Sequence, residues 1–420
     1  MTTDRFGHPL DRRIGYAWGE VLSDHDDEAR RMLTGRALIR DRVTRLGERS
    51  VYNLTGLIRA FPVDAEDLRH LDSQLAFYAK WSTEADDLAI KHMGGDAGRH
   101  AAVICNRVSS SMLAVMLAFD VRGKTVLSLI PGGRSHPSVG KAAELCGGTF
   151  VERTGLPAWR EALSGDRKVG LVVITPITPQ KFHLPQAEVR RAIELSKARG
   201  FPVFLDDAHM ASRMAFFDEP PALALGDADL AVWSLDKHVD GPRAAAVAGA
   251  REVIERVRAR AFEYGLEAQF GHWVAALRAM ERFDLGHVRQ VALLARPLLD
   301  RLRPIFGERA YLAGPGAAVS GEDLLGWALE RRRLTGTAVT PNEAASAASF
   351  VMLRNHGLVT IPVIGMPGAA ATFRLMVYPD GPRLGLGGYV RAVEDGLAAL
   401  VEAVAEPARI KSLIFEGLTV

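Results

Sequence analysis

From Val51 onward, short apolar runs alternate with longer stretches whose apolar residues recur every three or four positions. The runs Ala101–Cys105, Thr125–Ile130, Gly170–Thr175, Pro202–Leu205, Leu230–Trp233 and Ala244–Ala248 have the length and composition of strands. Between them Ser110–Phe119, Pro137–Cys146, Leu156–Leu163 and Gln186–Arg199 read as helices. Strand and helix repeated in this way predict an α/β fold with a mostly parallel sheet. Each strand is apolar throughout, as expected where helices cover both faces.

The flanks differ. Residues 1–50 are polar, with a helix expected over Asp26–Leu46. Glu252–Arg303 reads as helical, strands are expected at Leu334–Val339, Leu358–Ile361 and Thr372–Val377, and a last helix at Gly388–Val404. The expected organisation is an N-terminal helical arm over 1–50, a large α/β domain over 51–285 and a smaller α+β domain over 286–420.

Reactive side chains gather where strands end, which is where open α/β sheets bind ligands. The segment Phe201–His209 ends an apolar strand in Asp206 and Asp207, with His209 three positions after the first. A carboxylate there would keep a pyridine nitrogen protonated, so that the ring of pyridoxal phosphate (PLP) can take up carbanion electrons. Alternation along the strand lets only one of the two carboxylates face the ring, and the histidine offset favours Asp206. His209 would reach the ring's phenolic oxygen or steady the aspartate.

The segment Trp233–Arg243 follows the next strand and carries Ser234, Lys237, His238 and a Gly241-Pro242 turn. A lysine in a dry strand-end position can lose its proton and form a Schiff base, and Lys237 is the candidate. Ser234 is suitably spaced to meet the cofactor phosphate. Ser109, Ser110 and Ser111 open a helix, where free N–H groups and the dipole favour an anion, although serines there also serve as caps. His136, before Pro137, would stack on the ring or simply begin a helix. Arg374 would grip a substrate carboxylate through two hydrogen bonds, or form a structural ion pair. His209 and His238 are candidates for a second proton transfer.

Charge changes the picture only by exclusion. Lys plus Arg number 52 against 50 Asp plus Glu, a formal net charge of +2 with no cationic block, so no nucleic-acid partner is expected. The two cysteines, Cys105 and Cys146, lack disulfide or metal-ligand spacing, and no metal site is expected. No signal peptide opens the chain, no run of about 18 apolar residues spans a membrane, and a cytoplasmic location is expected.

The order of these motifs resembles the fold-type I PLP enzymes, the aspartate aminotransferase superfamily. Ser234-x-Asp236-Lys237-x-x-x-Gly241-Pro242-x-Ala244 is similar to the lysine motif of L-seryl-tRNA(Sec) selenium transferase. Asn106-Arg107-Val-Ser-Ser and His136-Pro137-Ser138-Val139 look more like a selenium-transferase-related family known from archaea. Asn53-Leu-Thr-Gly56 is similar to an Asn-x-x-Gly stretch near the start of the transferase's catalytic region, which makes Asn53 a substrate-side candidate. The resemblance implies a seven-stranded sheet, PLP on Lys237, and a homodimer or a multiple of it acting on a small amino-acid substrate. The segment Phe262–His272 is suited to that interface. Elimination or β-replacement is the first expectation. Transamination, racemisation and decarboxylation use the same core residues. A tRNA-dependent reaction or a non-catalytic PLP binder is the reading from another class, and the short arm without a basic stripe argues against tRNA.

Overall fold

Seven strands form the central sheet of the computed structural model: β1 (His100–Cys105), β2 (Thr125–Ile130), β3 (Thr149–Thr154), β4 (Val169–Ile174), β5 (Val203–Asp206), β6 (Leu230–Ser234) and β7 (Ala245–Ala250). Their order is β1-β7-β6-β5-β4-β2-β3, with β7 antiparallel to both neighbours and the other pairings parallel. The structure describes residues 2–11, 13–165, 168–368 and 372–416.

Successive side chains of a strand go to opposite faces, and here both faces are dry. Ile104, Leu127, Leu129, Val172, Ile174, Leu205 and Trp233 join one core cluster, and Val103, Val126, Leu171, Val173, Phe204 and Val232 join the other. That two-sided burial is why the strands read as unbroken apolar runs. The exception is β3, which the sequence pattern did not predict. It lies at the sheet edge, its residues are half-buried or exposed, and Thr149-Phe-Val-Glu-Arg-Thr154 is accordingly mixed in polarity.

By internal contacts the chain divides into two compact units, Leu57–Val288, and Met1–Gly56 with Arg289–Val420. In the second unit Thr372–Met376, Gly316–Ser320 and Ala310–Leu312 form a three-stranded antiparallel sheet, in that order. Several expectations are corrected here. Residues 334–339 form no strand, whereas Ala310–Leu312 and Gly316–Ser320 do. The Gly-Pro pair between the latter two is a hairpin turn, and their alanines and glycines carried no strand signal. Only Leu358–Val359 of the expected 358–361 strand is extended, and Ile361–Ile364 turns into a short helix. The expected helical stretch 252–303 is four helices, Arg251–Glu263, Phe270–Glu281, Leu285–Ala292 and Ala295–Phe306. Residues 2–11 and 13–24 precede the long helix His25–Leu46 in mostly irregular backbone. Among the described residues no helix is long and apolar enough to cross a membrane, and no cluster of His, Cys, Asp or Glu could hold a metal ion.

Candidate active site

The two carboxylates that end β5 have opposite fates. Phe204, two residues before Asp206, packs in the cluster containing Met112 and Val115 of the helix Val108–Ala118, while Leu205 packs on the other face. Asp206 therefore faces the side of the serine-bearing helix. Asp207 is taken by Arg213: Nε lies 3.1 Å from both carboxylate oxygens, Nη2 closes on Oδ2, and neither side chain has exposed surface. Arg213 also meets Glu219 at 3.2 Å. Asp207 is thus a satisfied structural anion.

Asp206 is not satisfied. It accepts the Ala208 N–H, and its Oδ2 is a long 3.4 Å from the Thr175 hydroxyl. Its Oδ1 is buried and has no hydrogen-bond partner among the described residues. Burial pushes the carboxyl up to about 6, with the charge of Lys237 pulling the other way. A buried oxygen without a donor costs about 1–3 kcal/mol, and a ring N–H would supply the missing partner.

Lys237 is held in a pinned loop after β6. Leu57 bridges it in antiparallel fashion, the Ile58 N–H donates to the Asp236 carbonyl at 2.8 Å, and Arg59 Nε approaches Asp236 Oδ2 at 3.4 Å. Gly241 lets the chain fold back, because a Cβ there would strike the Leu235 carbonyl oxygen and lie 2.8 Å from the Ala279 Cβ. Ser234, expected at the phosphate, donates instead to Asp236 Oδ1 at 2.7 Å.

The helix Val108–Ala118 begins without a side-chain cap at Arg107, and its hydrogen-bond ladder starts with the Ser111 N–H on the Arg107 carbonyl at 3.0 Å. The N–H groups of Val108, Ser109 and Ser110 precede that ladder, and N–H groups in that position favour an anion. Ser109 and Ser110 are half-buried, whereas Ser111 is buried with its hydroxyl on the Val108 carbonyl at 2.7 Å. The segment 265–268 runs beside this strand end, with the Leu266 carbonyl accepting the Asn106 N–H at 3.0 Å and the Ala268 N–H donating to the Ile104 carbonyl at 2.8 Å.

His136 caps the helix Pro137–Leu145: its Nδ1 accepts the Ser138 N–H at 3.2 Å and lies 2.6 Å from the Ser138 hydroxyl. Although half-buried by surface area, its ring is enclosed by protein, and that burial pushes the imidazole down to about 3, helped by the charges of Lys237, Arg107 and Lys141. His136 is therefore neutral. The charge of Lys237 acts on Asp206 and His136 alike, which brings three sequence-predicted residues into one field. His209 begins the helix Met210–Phe217 and has Lys181 Nζ 2.9 Å from its Nδ1. His238 is buried, with a left-handed φ of 58°. The pattern missed Thr175, Lys181 and Arg213. A loop lysine reads as solvated, and nothing in Asp206-Asp207 says which carboxylate an arginine six residues on will claim.

Arg374 and Asn53 belong to the other unit. Arg374 lies in the strand Thr372–Met376 opposite Ala318, and burial pushes its guanidinium down to about 10, against the opposing influence of Tyr311. Asn53 Oδ1 accepts from the Thr55 N–H at 3.1 Å and the Thr55 hydroxyl at 2.7 Å, closing a turn.

Known proteins match this chain over most of their length. A UPF0425 pyridoxal phosphate-dependent protein of Methanothermobacter thermautotrophicus is 31% identical over 396 residues, covering 94% of this chain and 100% of that protein. The chain belongs to the UPF0425 family of PLP-dependent proteins. The model of the UPF0425 C-terminal domain matches residues 321–380. A second member, from Methanococcus maripaludis, is 29% identical over 83% of this chain and 92% of its own. Among solved structures, SepCysS, from its complex with the SepCysE N-terminal domain, superposes with TM-score 0.55 at 16% identity over 87% of this chain and 98% of its own. Serine palmitoyltransferase of Sphingomonas wittichii gives 0.54 at 15% over 86% and 84%, and the PLP-dependent cyclase OrfR 0.56 at 18% over 85% and 96%. The UPF0425 chain thus has the type I fold of PLP-dependent enzymes, and PLP is its cofactor. Its residues fit that group: a buried acid oxygen lacking a partner, an uncapped helix start and a strand-end lysine could hold ring nitrogen, phosphate and aldehyde carbon respectively.

Proposed function

We propose that this chain is an enzyme that acts on a small amino acid by elimination or β-replacement, with Lys237 carrying the cofactor. The observation that supports it most is Asp206, a buried carboxylate with an unpartnered oxygen in the field of Lys237. Bound PLP supplies an electron-accepting ring and an aldehyde carbon that takes up amines. Asp206 would keep a proton on the ring nitrogen. Lys237 would hold the aldehyde carbon, and its amine, when free, would serve as the base for the substrate Cα proton. The neutral His136 would border the ring without adding charge, and the N–H groups of Val108, Ser109 and Ser110 would hold the phosphate. The similarity of the Lys237 motif to that of selenium transferase favours chemistry at the β-carbon over transamination.

Borohydride reduction of PLP-loaded protein followed by peptide mass spectrometry should place the adduct on Lys237. An adduct on another lysine removes the assignment. Incubation with an amino-acid panel then separates the reactions: elimination releases ammonia and a keto acid, whereas an amino donor that converts the cofactor to pyridoxamine phosphate would establish amino transfer instead.

The acting species proposed is a homodimer with the 262–272 segment at its interface. Phe262, Tyr264 and Phe61 are 62%, 55% and 50% exposed, a poor arrangement for solvent. Phe61 also meets His272 edge-on at 5.3 Å. Sedimentation should give a dimer or a multiple of it, and Tyr264→Arg should shift it toward monomer. A monomer that turns over at full rate would exclude this interface.

A further inference from the structure

The motif around Lys237 contains a carboxylate, Asp236, that the proposed chemistry leaves without a task. The strand β6 ends at Ser234, and the Leu235 N–H donates to the Ala244 carbonyl at 2.9 Å, so residues 236–243 leave the sheet as a loop before β7 begins. A lysine in such a loop has no sheet ladder to fix it. The first three residues of the unit Leu57–Val288 take that place. Leu57 bridges Lys237 itself, the Ile58 N–H donates to the Asp236 carbonyl at 2.8 Å, and Arg59 Nε lies 3.4 Å from Asp236 Oδ2. The other carboxylate oxygen, Oδ1, accepts the Ser234 hydroxyl at 2.7 Å. One side chain, on a residue 7% exposed, thus ties the strand end before Lys237 to the segment that bridges it.

This tie is not what the chain adopts by local preference. Arg59 has φ at 59°, in the left-handed region that side-chain-bearing residues rarely enter and that persists where the surroundings over-determine it. Asp236 is buried, and a buried carboxylate stands only where donors meet it. Ser234, whose spacing suits the cofactor phosphate, meets Asp236 instead. The ring and phosphate of PLP would be located by other elements, Asp206 at the end of β5 and the N–H groups that open the helix Val108–Ala118. The Lys237 amine therefore has to meet a carbon whose place is set elsewhere. Two such groups join quickly only if both are held, and a misplacement of about 1 Å can cost about 10²-fold.

We propose that Asp236, braced by Arg59, is a positioning residue that holds the Lys237 amine where the aldehyde carbon of PLP arrives. The inference rests on the assignment of Lys237 as the cofactor lysine, and the test keeps the two apart. The step it governs is a condensation: the amine nitrogen bonds the aldehyde carbon, and the aldehyde oxygen leaves as water with both amine hydrogens. Apo forms of the parent, Asp236→Ala, Arg59→Ala, Arg59→Lys and Arg59→Gly are mixed with PLP. The rate of linkage is followed by absorbance, and the adduct is mapped after borohydride reduction. Affinity for pyridoxamine phosphate, which has no aldehyde and forms no linkage, reports the ring and phosphate contacts alone. Asp236→Ala and Arg59→Ala should slow linkage about tenfold or more and leave the pyridoxamine phosphate affinity within about twofold of the parent. Arg59→Lys should recover most of the rate. Arg59→Gly, which suits the left-handed backbone but lacks the guanidinium, should link as slowly as Arg59→Ala while melting no lower than it. Linkage at the parent rate in folded Asp236→Ala, with the adduct on Lys237, overturns the inference alone. So does an equal loss of pyridoxamine phosphate affinity, which would make Asp236 a support of the whole site. If Asp236→Ala does not fold, Arg59→Gly decides: slowed linkage there supports the brace, and the parent rate overturns it. A parent adduct on another lysine overturns the Lys237 assignment and this inference together.

Discussion

Behind the strand ends of the sheet lie two polar groupings that share a peptide bond but obey different rules. In one, Asp207 and Arg213 pair out of contact with solvent, and the slightly exposed Glu219 gives Arg213 a second partner. In the other, Asp206 keeps a buried oxygen without a partner among the described residues, and burial pushes its carboxyl up to about 6. A fold left to maximise stability would complete both or bury neither. An unsatisfied group next to satisfied ones marks where a ligand is to finish the structure.

Asp206→Asn should cut turnover by roughly 10²–10⁴-fold, the range for loss of a group that manages a proton in the transition state. In the apo-protein the same change should stabilise. The raised folded pKa means the native state binds a proton more readily than the unfolded chain, so the ionised carboxylate lowers stability as pH rises from about 4 through about 6. Thermal melts at pH 7 should place Asp206→Asn above the parent by up to about 3 kcal/mol, with the gap closing below pH 4. A neutral carboxamide that destabilises at pH 7 would show that Asp206 is a structural group like its neighbour.

Asp207→Ala tests the other half. It leaves Arg213 buried without its main partner, and breaking such a pair costs about 3–5 kcal/mol. Denaturant melts should show that loss, while the PLP adduct on Lys237 and the cofactor spectrum should persist wherever the protein stays folded. Turnover abolished in a fully stable Asp207→Ala protein would reverse the two roles.

How much of this was legible follows from the same contrast. The dry central strands show in the sequence because burial on both faces demands unbroken apolar runs, and their ends locate Asp206, His209 and Lys237. The edge strand Thr149–Thr154 was hidden because half-burial allows Glu152 and Arg153 within it. The small-unit strands at 310–320 were hidden because alanine and glycine suit many conformations. Within the site, sequence order suggested Ser234 for the phosphate, but no pattern shows that Asp236 will accept its hydrogen bond. Lys181 was illegible for a stronger reason. Its burial depends on a turn whose left-handed closing residue is, by propensity, anything but lysine.

A smaller effect belongs to the unit formed by residues 1–56 and 289–420. His8 has Nδ1 2.8 Å from Asp4 Oδ2 and Nε2 2.9 Å from the Thr337 carbonyl, so both ring nitrogens face acceptors and the cation alone satisfies both. Burial opposes the charge, but the Asp4 and Thr337 contacts outweigh it and hold the imidazole above its usual value, with Asp4 and Glu343 adding attraction. A histidine whose folded pKa is raised stabilises fully below its unfolded value of about 6.5 and loses that contribution as pH rises through the folded value. Below pH 6 His8→Gln should therefore melt lower than the parent, by less than about 1 kcal/mol for a pair near the surface. Above pH 9 only the loss of one neutral hydrogen bond should remain. Thermal midpoints of the two apo-proteins measured across that range give the answer directly. A gap that widens with rising pH would mean that the neutral ring, not the imidazolium, ties residue 8 to Thr337.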